Sequence, residues 1–211
     1  MLQAPIWAAV GRQLRNPSGI GGRLIARLMA LANRRSNRIA IRALDCSPDD
    51  TILDLGCGPG SAVKALAVIA GQGLIIGLDH SETALAQALR QNRYAIRQRR
   101  VHLLRGRIDA LPCRDNTIDG ILAVHVVYFA GEAGVREARR VLRPGGRIVI
   151  VATDRSAMAH WKFAQPSTHE LFDMPGLENL FECGGFATSG ISVTHVNLAY
   201  GVLGLLGIAT K

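Results

Sequence analysis

Between residues 50 and 153, short runs of aliphatic and β-branched residues alternate with stretches in which apolar positions recur every three or four residues. A strand covered on both faces buries every side chain and a helix buries one stripe, so this alternation predicts a parallel sheet flanked by helices. Strands are expected over 51–55, 74–79, 100–104, 118–127 and 147–153. Val63, Leu66, Ala67 and Ala70 mark the helix after the first strand; Leu85, Leu89 and Ile96 mark the apolar face of a second helix that starts at Ser81. A third, 132–142, is amphipathic and stops at Pro144, after which Gly145 and Gly146 turn the chain into the fifth strand. The tail changes character. Two strand-like runs, 191–198 and 201–209, joined by a short link around Tyr200, predict an antiparallel hairpin, and residues 159–175 read as a loop beside the sheet.

Ahead of the alternation, residues 20–44 place Leu24, Leu28, Leu31 and Ala32 on one helical face and Arg23, Arg27, Arg34 and Arg38 largely elsewhere. The expected division is a basic helical lid over 1–45 and one α/β domain over 46–211. Charge sharpens this reading. Residues 1–44 hold eight arginines and no acid, so of the formal +9 only +1 is left for the rest of the 211-residue chain. Such a head suits an anionic acceptor, peripheral contact with an acidic membrane surface, or plain solvation. Seven further arginines between Arg90 and Arg107 fall on the second helix and third strand and read as a solvated face; nucleic acid is not the expected partner.

With 48% hydrophobic and 19% charged residues the chain can build a core, which excludes a disordered or low-complexity class. No apolar stretch approaches the roughly 20 residues of a spanning helix. Cys46, Cys57, Cys113 and Cys183 form neither a disulfide framework nor a CxxC pair, and the six histidines show no HxxxH spacing, so no metal site is expected and a reducing cytoplasm is.

The sharpest motif is Asp54-Leu-Gly-Cys-Gly-Pro-Gly60, a buried strand running into glycines and then a helix. Without Cβ atoms the backbone can approach a ligand closely, and the helix N-terminus behind it favours negative charge. A nicotinamide fingerprint would carry glycine or alanine where this chain has Ser61. The motif instead resembles the first motif of the class I S-adenosylmethionine-dependent methyltransferases. Three others follow in the same order: Gly77-Leu-Asp-His-Ser81, Gly106-Arg-Ile-Asp-Ala-Leu-Pro112 with Asp115 and Asp119, and Leu142-Arg-Pro-Gly-Gly-Arg147. Together they span residues 50–154, with the flavour of the small quinone and sterol methyltransferases.

The resemblance implies a Rossmann-like three-layer α/β sandwich whose seven-stranded sheet has the order 3-2-1-4-5-7-6, strand 7 antiparallel. It also implies S-adenosylmethionine as cofactor, S-adenosylhomocysteine as product and a small-molecule or lipid-like acceptor. Carried onto this chain, the amides of Gly56, Cys57, Gly58 and Gly60 hold the methionine carboxylate and Asp54 serves the ammonium side. Asp79, with His80 beside it, takes the ribose hydroxyls; Asp109 and Ala110 take the adenine.

Methyl transfer from a sulfonium is an in-line displacement, so the protein supplies alignment, dryness and, for some acceptors, a base. His125, at the end of the fourth strand, is the candidate base and a cofactor contact, with a near-neutral pKa expected; Tyr128, Phe129, Trp161 and Phe163 are candidate pocket walls. The segment His125-Val-Val-Tyr128 lacks the D/N-P-P-aromatic pattern of nucleic-acid amino-methylation, and Asp154 followed by Arg155 lacks the Asp-Asn pair of magnesium-dependent catechol enzymes. An alternative is cofactor binding without methyl transfer, in a cyclisation catalyst or regulatory module; a nicotinamide oxidoreductase is the third reading.

Overall fold

The computed structural model describes residues 31–159, 161 and 169–211. The part of the expected lid before Leu31, with Arg23, Leu24, Arg27 and Leu28, lies outside them, as does Phe163.

The described chain runs α1 (Arg34–Leu44), β1 (Thr51–Leu55), α2 (Ser61–Ile69), β2 (Leu74–Asp79), α3 (Glu82–Arg97), β3 (Val101–Arg105), β4 (Ile118–Val124), α4 (Gly131–Val141), β5 (Leu142–Thr153), α5 (Arg155–Met158), α6 (Met174–Cys183), β6 (Ile191–Asn197) and β7 (Leu203–Thr210). The seven strands form one sheet ordered β3-β2-β1-β4-β5-β7-β6, as the resemblance implied. β1 to β5 pair in parallel, while β7 runs antiparallel between β5 and β6. Period-two alternation divides the core. Leu53, Leu55, Ile121, Ile148 and Ile150 pack on one face, whereas Ile52, Leu122, Val149 and Val151 pack on the other with α1 and α2. Each such side chain contributes about 1.5 to 3 kcal/mol on burial.

Four local expectations change. α3 starts as expected, with Ser81 capping it through the Ala84 N–H, and Leu85 and Ile96 of the expected face pack half-buried against the core; the buried positions are Ala84, Ala88, Asn92 and Ala95, however, and Leu89 is 56% exposed. The cause is a close approach: a Cβ at Gly60 would stand 2.8 Å from Ala88 Cβ, so the glycine loop packs directly on Ala88 and Asn92 and that side of the helix turns inward. The fourth strand ends at Val124 instead of 127, because His125 turns to φ 56° and Val127–Phe129 form a 3-10 turn. The fifth begins at Leu142, the Pro-Gly-Gly run being drawn into its start. The expected loop over 159–175 gives way at Met174 to α6, whose N–H at Gly176 is capped by Asp173 and whose Leu177, Leu180 and Phe181 are buried.

α1 is a working part of the domain, with Ala40 and Leu44 fully in the core and Leu44 set against Gly120 of β4. Its Ser36, Ala40 and Leu44 lie four residues apart, one stripe facing the sheet.

Candidate functional site

The carboxyl ends of β1, β2 and β4 converge, and in an open parallel sheet ligands collect there. β1 delivers Asp54, in register with Gly77 of β2 and Leu122 of β4, and then breaks into a loop whose Gly56, Gly58 and Gly60 all take positive φ. At Gly56 a Cβ would meet Val126 at 2.6 Å, while over Gly58 there is open space.

Three amides of this loop donate within the protein: Cys57 N–H to the Leu78 carbonyl (3.0 Å), Gly58 N–H to Asp79 Oδ2 (2.8 Å) and Gly60 N–H to the Cys57 carbonyl (2.9 Å). No side chain caps the first-turn amides of α2 at this end. Asp79 also accepts from Ser81 N–H at 2.8 Å, so it ties the glycine loop to the start of α3. Asn92, buried on α3, donates to the Gly60 carbonyl at 3.1 Å and holds the loop from below.

Asp54 is 3% exposed and its Oδ2 has no hydrogen-bond partner. Burial, and then the charge of Asp79, push its pKa up to about 8. Burial likewise raises the Cys57 thiol, which leaves it protonated and inert.

Gly56, Asp79, His80, Asp109 and Val126 line one cleft of about 320 Å³, together with Arg107 and Phe129. His80 Nδ1 stands 3.7 Å from Asp79. Asp109 is ion-paired with Arg107, which holds its carboxyl below the usual range. Ala110 bridges back to Arg107 and does not line the cleft; nor do Asp54, Cys57, Gly58 or Gly60.

A second cavity of about 290 Å³ adjoins the first and shares Phe129 with it. His125, Tyr128, Trp161, His169, Met158 and Leu198 line it, with Ser36 entering from α1 and Tyr200 from the β6–β7 link. Of the four expected wall aromatics, Tyr128, Phe129 and Trp161 are in this wall. The His169 ring lies 4.9 Å from that of Phe129.

His125 lines the second cavity and not the cleft, although a cofactor contact was expected of it. Its N–H donates to the Val151 carbonyl at 2.8 Å, its Nε2 is 2.9 Å from Ser36 Oγ and its Nδ1 3.3 Å from the Tyr128 hydroxyl, which accepts the Thr153 N–H. A non-glycine residue held at positive φ inside such a network stores strain that the surroundings must offset, a recurrent property of functional positions. Burial lowers the ring's pKa to about 4, below the near-neutral value expected from sequence, so the imidazole is neutral at physiological pH. Tyr128 is pushed up to about 12 and remains a phenol.

Ser36 and His169 escaped the sequence reading. Ser36 did leave a signal, as the polar member of the buried stripe that continues through Ala40 and Leu44; His169 left none.

Residues 52–146 match the methyltransferase domain family. The match supports a class I S-adenosylmethionine-dependent methyltransferase. It is 28% identical to a demethylmenaquinone methyltransferase of Bacillus cereus, over 75% of this chain and 81% of that one. It is 36% identical to an uncharacterised 37.1 kDa protein of transposon TN4556 from Streptomyces fradiae, over 58% of this chain, and spans 36% of that relative's length. In fold it resembles phosphoethanolamine N-methyltransferase 2 of Haemonchus contortus, solved with S-adenosylmethionine, with a TM-score of 0.74 and 13% identity over 97% of this chain and 60% of that one.

The residues of this methyltransferase fit the family's cofactor. A buried carboxylate oxygen without a partner suits an ammonium, and the shelf over Gly58 gives room for a chain beside it. Asp79 retains acceptor capacity at the cleft wall for ribose hydroxyls. Among the described residues no group of side chains could hold a metal ion, and no helix is long and apolar enough to cross a membrane.

Proposed function

We propose that this methyltransferase acts on a small or lipid-like acceptor lodged in the 290 Å³ cavity, with the cofactor in the cleft that opens from the glycine loop. The observation that carries this reading is the junction itself: an apolar, aromatic-walled space, lined by His125, that meets the cofactor cleft at Phe129. When bound, S-adenosylmethionine supplies an activated methyl group and its own leaving group.

The protein's part is then alignment and dryness, which in favourable cases contribute roughly 7 to 11 kcal/mol. Tyr128, Phe129, Trp161 and Met158 hold the acceptor's apolar body and keep water out. Ser36 and His125 handle a proton. In the base-competent tautomer, Nδ1–H donates to Tyr128 and Ser36 Oγ–H donates to Nε2, so a proton leaving an acceptor hydroxyl or amine passes through Ser36 to the ring. In the other tautomer, Tyr128 donates to Nδ1 and Nε2–H donates to Ser36, and the ring takes no proton at Nε2.

The relative named for demethylmenaquinone supports an acceptor with an apolar body. Incubating the purified protein and labelled cofactor with lipid and small-molecule extracts, then identifying the labelled product by mass, tests the reading. A labelled apolar product supports it, whereas label confined to protein or nucleic acid sinks it.

Asp79→Ala is expected to lower cofactor affinity about tenfold or more, because it removes a ribose acceptor and frees the Gly58 amide at once. Calorimetry on the folded variant checks this, and an unchanged dissociation constant refutes the assignment.

A further inference from the structure

The outer face of α1 carries Arg34, Arg35, Arg38 and Arg42, all exposed. With Leu31 and Ala199 these arginines line a groove of about 460 Å³. Three of them, Arg34, Arg38 and Arg42, are spaced by four, a single stripe along a helix about 16 Å long. Among the described residues none of the four is in an ion pair. An unpaired cationic stripe with no acid on its own helix is a standing electrostatic cost unless something anionic faces it.

The groove touches the acceptor cavity. Ala32 and Ala199 line both, so the cavity's mouth opens between the arginine stripe and the β6–β7 link. At that mouth Tyr200 is 95% exposed, held out at φ 59°, and Leu31 is 52% exposed. A tyrosine displayed on a turn, an exposed leucine and an arginine row around one apolar opening is the composition of a surface that meets a lipid–water interface. On such an interface a tyrosine ring and a leucine suit the acyl boundary and guanidinium groups suit the level of the phosphates.

We propose that this rim docks on an anionic membrane surface and that the acceptor enters the cavity directly from the bilayer. The inference rests on the reading of that cavity as the acceptor site. Direct entry spares an apolar acceptor the transfer through water, which costs about 0.8 kcal/mol per methylene. It also explains why the stripe is arginine on a rigid helix: a guanidinium pairs bidentately with phosphate.

The test is sedimentation of the full chain with vesicles of phosphatidylcholine alone or mixed equally with phosphatidylglycerol, without acceptor, so that docking and methyl transfer can fail separately. Binding to the anionic vesicles only, weakened by salt, is expected. The triple variant Arg34→Gln, Arg38→Gln, Arg42→Gln should bind about a hundredfold more weakly, at roughly fivefold per arginine near the surface. Tyr200→Ser should lose a few-fold more. Calorimetric cofactor affinity should be unchanged in both variants, which shows that they fold. No binding at low salt, equal binding to both vesicle types, or a triple variant that binds as the parent does overturns the proposal. So does a triple variant that loses only turnover of soluble anionic acceptors, since the arginines then hold a substrate head group.

Discussion

At pH 8, Asp54→Asn is expected to raise the melting temperature of the ligand-free protein by ~5 °C or more and to weaken S-adenosylmethionine binding by about a hundredfold or more. Both effects come from one buried carboxyl. Its folded pKa is about 8, against roughly 3.9 in an unfolded chain. Between those values the folded protein keeps a proton that the unfolded chain has released, so this group's contribution falls as pH rises from about 4 to about 8 and is constant above. The slope is at most ~1.4 kcal/mol per pH unit. Asparagine leaves an amide in the same unpartnered place, so only part of that cost is recovered, on the order of 2 kcal/mol. Wild type regains up to ~1.4 kcal/mol per pH unit on the way down to pH 5 while the variant regains nothing, so at pH 5 the order should reverse, with the variant melting below wild type.

Ligand binding reverses the preference. An ammonium is held well only by the ionised carboxylate, so wild-type affinity should climb about tenfold per pH unit up to pH 8. It should then fall as an α-amino group, with a pKa of about 7.7 to 8.0, loses its own proton. In Asp54→Asn the climb disappears. Scanning fluorimetry at pH 5 and 8 and calorimetry from pH 6 to 9 measure both halves. A variant less stable than wild type at pH 8, or a wild-type affinity that is flat with pH, removes Asp54 from the ammonium site.

How much of this was legible in sequence follows from the range of the interactions involved. The sheet was legible because burial on both faces leaves near-continuous aliphatic runs such as Ile148–Val151, and the glycine loop because positive φ at Gly56 and Gly60 selects glycine directly. What depended on contacts between distant segments was not. Leu89 looks like a core residue on periodicity alone; it is displaced to the surface because Gly60, in another element, brings the backbone against Ala88 and Asn92. The run Val124-His-Val-Val127 looks like uninterrupted strand, yet it bends away where His125 bonds to Ser36 and Tyr128 and Val126 packs on Gly56. Ser36 lies 89 residues from its partner, a pairing that no local pattern encodes. The acceptor cavity is made of such pairings, whereas the cofactor cleft is made of strand ends, so the second was far more readable than the first.

His125 therefore offers the clearest test of that cavity. His125→Asn is expected to lower kcat by about 10² or more, the contribution of a positioned general base, while changing cofactor affinity less than threefold or so. Asparagine is the informative replacement: it tolerates the left-handed backbone at φ 56° and keeps a polar atom at the Nδ1 position, toward Tyr128, so loss of activity reports lost proton acceptance at Nε2 instead of a collapsed turn. Ser36→Ala, which leaves the ring in place but removes the hydroxyl through which the proton reaches it, should cost a comparable factor in kcat. The pH profile separates this role from a structural one. With its pKa at about 4, His125 is fully neutral above pH 6, so wild-type kcat should show no step from this residue between pH 6 and 8. A base with the near-neutral pKa expected from sequence would give a rise across the same interval. If His125→Asn turns over within about threefold of wild type, the ring is only a wall of the cavity, and alignment and dryness alone carry the reaction.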